Sequence, residues 1–311
     1  MFVVAGEALM DVYAGAPTAT GLHLDARAGG SPFNVAVGLA RLGARVAFLG
    51  GISGDAFGHR LEQMLSAEGV DRSLLVRSAA PTTLSIVSVG AGGGPSYAFH
   101  GHDAADRLVT PRGLPGLPEE ARWLHVGSYS TVVEPVGGTL RGLARQERTR
   151  RLVSYDPNVR LTVEPDVLRW HAVVEEMVAL AHLVKVSGED LQLLYPTQAP
   201  RTVAARWLAA GAWLVVVTLG GEGSIAYTAR ATATAPARPV RLIDTVGAGD
   251  TFQAALLAWL GEHGVTDEHA LGALDEGALK ELLGFASAAA SITCSRRGAD
   301  LPRRAEVLRA I

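Results

Sequence analysis

Cysteine is almost missing: Cys294 is the only one in 311 residues. That excludes an intrachain disulfide framework and fits a reducing, cytoplasmic compartment. A lone thiol reads first as a small core residue and only second as a nucleophile. Lysine is nearly as scarce, with Lys185 and Lys280 the only two among 28 basic residues. Charged residues make up 19% of the chain, the net charge is −3, and no basic stripe stands out, so nucleic acid is not an expected partner. No apolar stretch reaches the ~18 residues a membrane helix needs. The opening MFVVAGEALMD is interrupted by Glu7 and Asp11 and has no basic leader, so it reads as a buried strand rather than a signal peptide or anchor. Without linker, composition shift or repeat, residues 1–311 are expected to form one domain.

Apolar residues are abundant, at 48%, and their patterning sets the fold class. Val3–Gly6, Arg45–Gly50, Trp123–Gly127, Leu152–Tyr155, His182–Val186 and Leu214–Leu219 are short runs rich in Val, Leu and Ile, as in strands buried on both faces. Between them lie helical patterns over Asn34–Leu42, Phe57–Glu68, Val136–Glu147 and Thr202–Ala210, three of them stopped by Gly43, Gly69 and Gly211. The alternation predicts a mostly parallel central sheet with helices on both faces. Two stretches, about 12–27 and 81–107, instead alternate apolar and polar residues between Gly-rich turns; they predict a small β-sheet lid.

IDTVGAGDTFQAALLAWL, Ile243–Leu260, carries the most chemistry. Gly247, Ala248 and Gly249 precede a helix whose next charge after Asp250 is Glu262, so the first turn offers unpaired N–H groups and the positive end of a helix dipole to an anion such as phosphate. Asp250 would face the same space and could accept a proton from an attacking hydroxyl. At a helix N-terminus it is expected to stay ionised. The plain alternative is a glycine turn with Asp250 as an ordinary cap. AGGSPFNVAVGLARLG, Ala28–Gly43, lets the backbone at Gly29-Gly30 approach a ligand, and Asn34 can both donate to and accept from sugar hydroxyls or simply face solvent. Asp11, just after the first strand, would lie at a strand's C-terminal end, where open α/β sheets bind ligands, unless it serves a turn.

Gly221-x-Gly223-x-x-Ala226 nearly matches a dinucleotide fingerprint, but Ser224–Thr228 reads as a strand rather than the required helix, which disfavours a nicotinamide-dependent oxidoreductase. Gly-Lys-Ser/Thr and Gly-x-Ser-x-Gly are both absent, which excludes a Walker-type loop and weakens a hydrolase reading. His100, His102 and Asp103 lack a clear third metal ligand and read better as a loop beside the lid.

These residues resemble the ribokinase-like (PfkB) carbohydrate kinase family, most closely its bacterial fructokinase branch. The resemblance runs from GEALMD (Gly6–Asp11) to RRGA (Arg296–Ala299), with DTVGAGDTF (Asp244–Phe252) its most specific block and YDPNVR, KVSGEDL, TLGGEGS and ITCSRRGADLP similar to fructokinases in particular. It implies a ribokinase-like α/β fold with a β-lid, often homodimeric, and phosphorylation of a sugar by MgATP. Asp250 would be the base and Gly247, Ala248 and Gly249 the anion hole. Asp11, Gly30 and Asn34 would hold the sugar, with Tyr97, Phe99, Arg107 and Arg160 on the lid side. Thr218, Gly220, Gly223, Ser287 and Lys185 would border ATP. Asp190 and Glu189 would organise Mg²⁺ through water, and carbonyls around Asp244, Val246, Arg296 and Gly298 would form a K⁺ site. Three departures stand out: Asp190 where the family has Glu, Ser287 where ribokinase has Asn, and Leu301-Pro302 where a Ser completes ribokinase's potassium site, which leaves K⁺ activation open. Gly30-Ser31-Pro32 lacks the lysine of ribokinases, which favours fructose over ribose. A 2-keto-3-deoxygluconate kinase, another ketose or nucleoside kinase, and a non-catalytic sugar- or nucleotide-binding regulator are the alternatives.

Overall fold

Apolar runs flanked by glycines form most of the strands of a computed structural model that describes residues 1–89 and 95–311. In chain order the strands are β1 (Phe2–Ala5), β2 (Leu9–Pro17), β3 (Leu22–Gly29), β4 (Val46–Ser53), β5 (Leu75–Ser78), β6 (Leu84–Val89), β7 (Pro95–His100), β8 (Trp123–Gly127), β9 (Leu152–Asp156), β10 (Leu183–Ser187), β11 (Leu214–Thr218), β12 (Ser224–Tyr227) and β13 (Thr232–Ala235). Nine of them form one sheet in the order β13-β12-β11-β10-β9-β8-β1-β4-β5. Pairing is parallel from β5 through to β11 and antiparallel at β12 and β13. The remaining four make a separate sheet, β3-β2-β6-β7, antiparallel except where β2 meets β6.

The period of two along a strand splits β1 between two cores. Phe2 and Val4 pack with the helices Ser31–Arg41, Ala248–Glu262 and Glu276–Cys294. Val3 and Ala5 pack on the opposite face with the helices Val136–Glu147, Val167–Leu180 and Pro200–Ala210. A sheet covered on both faces buries every residue of its central strands, which is why these runs are continuously apolar. Helix Ala248–Glu262 is enclosed in the same way, with every residue from Asp250 to Leu260 buried, and this accounts for its lack of charge.

Most element boundaries moved by at most two residues from expectation; two moved by three, and one of these is β4, which runs on past Gly50 to Ser53. The first helix starts at Ser31 instead of Asn34, because Pro32 needs no N–H in a first turn and its φ suits the helix. Larger corrections concern the small sheet. It begins at Leu9, so Asp11 sits inside β2, paired with Arg27 and Ser85, instead of following β1 at the end of the main sheet. Residues 101–107 lie beyond its last strand. Cys294 is half-buried rather than a core residue. The expected hairpin after Thr218 is present: β12 turns back antiparallel to β11.

Small residues set the spacing between the two helices that will matter below. A Cβ on Gly38 would come within 2.7 Å of Ala254 Cβ and 2.6 Å of Leu301 Cδ2. Gly38→Ala should therefore destabilise the fold by ~1–3 kcal/mol through overpacking, read by urea unfolding; an unchanged midpoint would show that the helices part without cost.

Candidate active site

Two helix N-termini and the ends of parallel strands β9 and β10 meet around Asp250 and Lys185. The base of the site is the N-terminus of helix Ala248–Glu262. Gly247 takes φ 77°, a left-handed conformation that glycine adopts without strain, and turns the chain into the helix. The Ala248 N–H donates to the Thr245 carbonyl at 3.2 Å. The amides of Gly247 and Gly249 have no acceptor among the described residues, and Gly249 is exposed while Asp250 beneath it is only 7% exposed. The helix thus presents an open collar of donors over a recessed carboxylate.

A second helix N-terminus, that of Ser31–Arg41, supplies the partners of Asp250. Ser31 Oγ donates to Oδ1 at 2.7 Å and Asn34 Nδ2 to Oδ2 at 2.8 Å. Burial pushes the Asp250 pKa up, while these two hydrogen bonds and the Lys185 charge pull it back. The helix terminus alone argued for an easily ionised carboxyl; burial is the larger influence.

Beside Gly249 lies a buried ion pair. Lys185 Nζ, on β10, meets Asp156 Oδ2 at 2.8 Å with both side chains at most 4% exposed. A Cβ on Gly249 would be 3.2 Å from Lys185 Nζ, so glycine there lets the ammonium reach the collar. Asp156 Oδ1 has no partner among the described residues. Behind the pair, Gln253 Nε2 donates to Ser154 Oγ at 2.8 Å, and Ser154 Oγ lies 3.2 Å from His125 Nδ1. Burial and the Lys185 charge push the His125 pKa down to about 3, so that ring is neutral at physiological pH.

Asp11 enters from the small sheet. It is hydrogen-bonded to Ser85 and close enough to Asp250 and Arg160 to feel both charges; burial, aided by Asp250, pushes its pKa up to about 6. Arg160, exposed and anchored by its own Nη1 to the Val159 carbonyl at 2.9 Å, also acts on Asp190. Asp190 is buried and accepts the Val159 N–H at 3.1 Å; Glu189 beside it is exposed. Burial and the nearby Asp156 push the Asp190 pKa up.

Residues expected to border ATP lie about the ends of β10 and β11. Thr218 ends β11 in register with Ser187 on β10, and Gly220 and Gly223 flank the turn into β12, with φ 56° and 101°. Ser287 is buried within helix Glu276–Cys294, which packs against β12 and β13. Asp244 accepts the Val246 N–H at 3.1 Å and the Gly298 N–H at 2.8 Å, which pins two loops together. Arg296 pairs with Glu306 and, at 3.6 Å, with Asp300. Arg27 of β3 donates to the Arg297 carbonyl at 2.9 Å, tying the small sheet to the second of these loops.

Phe99 and Arg107 form a different cluster, around Tyr129: the Phe99 ring packs edge-on at 6.2 Å, and the Arg107 guanidinium lies over the ring at 5.2 Å. The side chain of Tyr97 lies outside the described residues. His102 pairs with Asp103 in an exposed loop, and no group of three His, Cys, Asp or Glu side chains converges among the described residues.

The structure brings Asp250, Asn34, the glycine collar and Asp11, all singled out from the sequence, into one neighbourhood. Sequence reasoning missed Ser31 as a partner of Asp250, and Asp156, although YDPNVR marks the latter as a charge ending an apolar strand. Asn34, expected to hold sugar, points its amide N–H at Asp250.

Three comparisons extend the picture. Residues 1–305 match the model of the pfkB family carbohydrate kinases. A fructokinase from Rhizobium leguminosarum bv. trifolii is 37% identical over 280 residues, 90% of this chain and 86% of the relative. The crystal structure of a fructokinase with bound ATP from Xylella fastidiosa superposes with a TM-score of 0.92 at 29% identity, covering 100% and 97% of the two chains. That of a Vibrio cholerae O395 fructokinase in a fructose, ADP and calcium ion bound form gives 0.83 at 29% identity, covering 99% and 97%.

The Asp11 environment sets a pH dependence. Its folded-state value of about 6 lies above the ordinary 3.8, so the folded protein holds a proton there that the unfolded chain has released. This contribution to stability is complete below about pH 4 and lost by about pH 6. Asp11→Asn should therefore lose less stability than the parent between about pH 4 and 7, measured by urea unfolding; parallel pH curves would contradict the assignment.

Proposed function

The chain belongs to the pfkB family of carbohydrate kinases, and from that premise we propose that it transfers the γ-phosphate of MgATP to D-fructose, giving fructose 6-phosphate, with Asp250 as general base. One observation carries the reading: a recessed carboxylate, gripped by Ser31 and Asn34, under a collar of backbone donors. Phosphoryl transfer needs in-line positioning, neutralisation of developing charge and removal of the acceptor's proton. The amides at Gly247–Gly249 and the Lys185 ammonium supply positive potential at one point. Burial makes Asp250 a stronger base than a free aspartate, closer to what an alcohol demands.

The sugar would lie between Asp250 and Asp11, with Arg160 beside it and the backbone at Gly30 close by, beneath the small sheet acting as a lid; Phe99 and Arg107 would border the lid side from their cluster around Tyr129. ATP would lie over Thr218, Gly220 and Gly223, with Ser287 on its adenine side. Fructose is the favoured acceptor because the curated relatives are named fructokinases and one structural neighbour holds fructose and ADP.

For Mg²⁺, the acids available are Asp190, which the Val159 N–H engages through one oxygen, and exposed Glu189. Both suit a cation that keeps its waters and is carried in on phosphates, whose charge it neutralises when bound. For K⁺, the carbonyls of Asp244, Val246, Arg296 and Gly298 sit on the two loops that Asp244 pins together. The Gly298 carbonyl accepts the Asp300 N–H at 2.8 Å and keeps a second lone pair for an ion. A cytoplasmic homodimer completes the reading.

ADP release from MgATP across fructose, ribose, 2-keto-3-deoxygluconate, tagatose and adenosine tests the substrate. Fructose is expected to give the highest kcat/KM. Turnover confined to 2-keto-3-deoxygluconate would replace it, and nucleotide binding without turnover on any of them would mark a regulator. Asp250→Asn should lower kcat by ~10²–10⁴ with ATP affinity retained; a near-parental rate removes Asp250 from the mechanism.

A further inference from the structure

Glu7 is a carboxylate that the proposed reaction leaves without a task. It lies in the connection between β1 and β2 and is 1% exposed. Burial pushes its pKa up to about 7, with the hydroxyls of Ser130 and Ser128 opposing the shift and Asp106 adding to it. A buried acid with so little compensation calls for a structural or functional reason.

The reason is visible one hydrogen bond away. Helix Ser31–Arg41 starts without the usual aids: its N-cap is Gly30, which has no side chain to accept a bond, and its first turn holds no acidic residue. Pro32 has no N–H, so Ser31 contributes the leading orphan donor of that turn. The Ser31 N–H donates to Glu7 Oε1 at 3.2 Å. Gly30, at φ 101°, is pressed so closely onto the Glu7 backbone that a Cβ would lie 2.6 Å from its carbonyl oxygen. Glu7 therefore grips the Gly30–Ser31 turn through both its backbone and its side chain. The same Ser31 directs its hydroxyl at Asp250 Oδ1, at 2.7 Å.

We propose that Glu7 is a positioning residue for phosphoryl transfer: as a cap supplied from outside the helix it fixes Ser31, and through Ser31 it aims the Asp250 carboxylate. The proposal rests on Asp250 being the base. Its chain is short and directional, Glu7 Oε1 to Ser31 N–H, then Ser31 Oγ–H to Asp250 Oδ1, and it runs from the main sheet into the site without touching ATP. Glu7 thus governs the rate constant and leaves nucleotide affinity alone.

The test compares Glu7→Gln, which keeps an acceptor oxygen, with Glu7→Met, of similar length and no strong acceptor, alone and combined with Ser31→Ala. Thermal unfolding checks folding. Glu7→Met should lower kcat by ~10–100-fold, the scale of a small misplacement of a catalytic group, with KM for ATP unchanged. Glu7→Gln should stay within about threefold of the parent. In the Ser31→Ala background, Glu7→Met should cost less than about threefold more, because the link it acts through is gone. Equal losses in both backgrounds, a raised KM for ATP, or a Glu7→Met rate within threefold of the parent would overturn the proposal. Should Glu7→Met show no cooperative transition, Glu7→Asp takes its place: withdrawing the acceptor oxygen by one methylene should lower kcat at least about fivefold and only on the Ser31 background, and an unchanged rate overturns the proposal. Asp250→Asn assayed alongside separates the two failures, since a parental rate there refutes the base itself, whatever Glu7 does.

Discussion

One carboxylate shared by two helix N-termini organises this molecule. Asp250 belongs to the first turn of helix Ala248–Glu262, yet both of its side-chain partners come from the first turn of Ser31–Arg41, more than two hundred residues earlier. A buried carboxylate held by two donors has little freedom to rotate, and each donor is itself held by helix geometry. The outcome is a carboxylate at a fixed point, beneath amides that favour negative charge. Most of the fold can be understood as the support for that arrangement, with one apolar core on each face of the sheet and the two helices sharing one of those cores.

The charges around it are placed with equal economy. The chain has only two lysines, and one of them is spent in the interior, paired with Asp156 where glycine lets its ammonium approach the collar. Breaking such a pair costs far more than the pair contributes, because an uncompensated charge stays behind. What the pair adds locally is positive potential beside the Gly249 amide. The neutral His125–Ser154–Gln253 chain behind it surrounds the ion pair with dipoles instead of further charge.

Much of this was legible in the residues because it is local. Gly247, Gly249 and Asp250 lie within four positions, and a helix without charge announces its own burial. The strands of the main sheet are continuous apolar runs for the same physical reason. What the sequence hid depends on contacts between distant segments. Nothing near Ser31 says that its hydroxyl meets Asp250, and nothing in KVSGED says that Lys185 turns toward Asp156. Asp11 was misplaced because a chain leaving β1 can end its strand or cross to another sheet, and the choice is made by pairing with Gly29 and Leu84, not by Leu9 or Met10. The early start of the first helix is hidden from local capping rules because its N-cap is a glycine and the acceptor for the Ser31 N–H is Glu7, twenty-four positions away.

Gly38 sits one turn beyond Asn34, on the line where the two helices touch, with Ala254 one turn beyond Asp250 on the other side. At that line the distance between the helix axes is fixed by the absence of a side chain. The two turns that carry Ser31, Asn34 and Asp250 are the free ends of the same rods, so their separation is inherited from a contact that never meets a ligand. The floor of the site is in this sense a clamped joint: the spacing of Ser31, Asn34 and Asp250 is built into the packing of the two helices, away from the open mouth of the cleft.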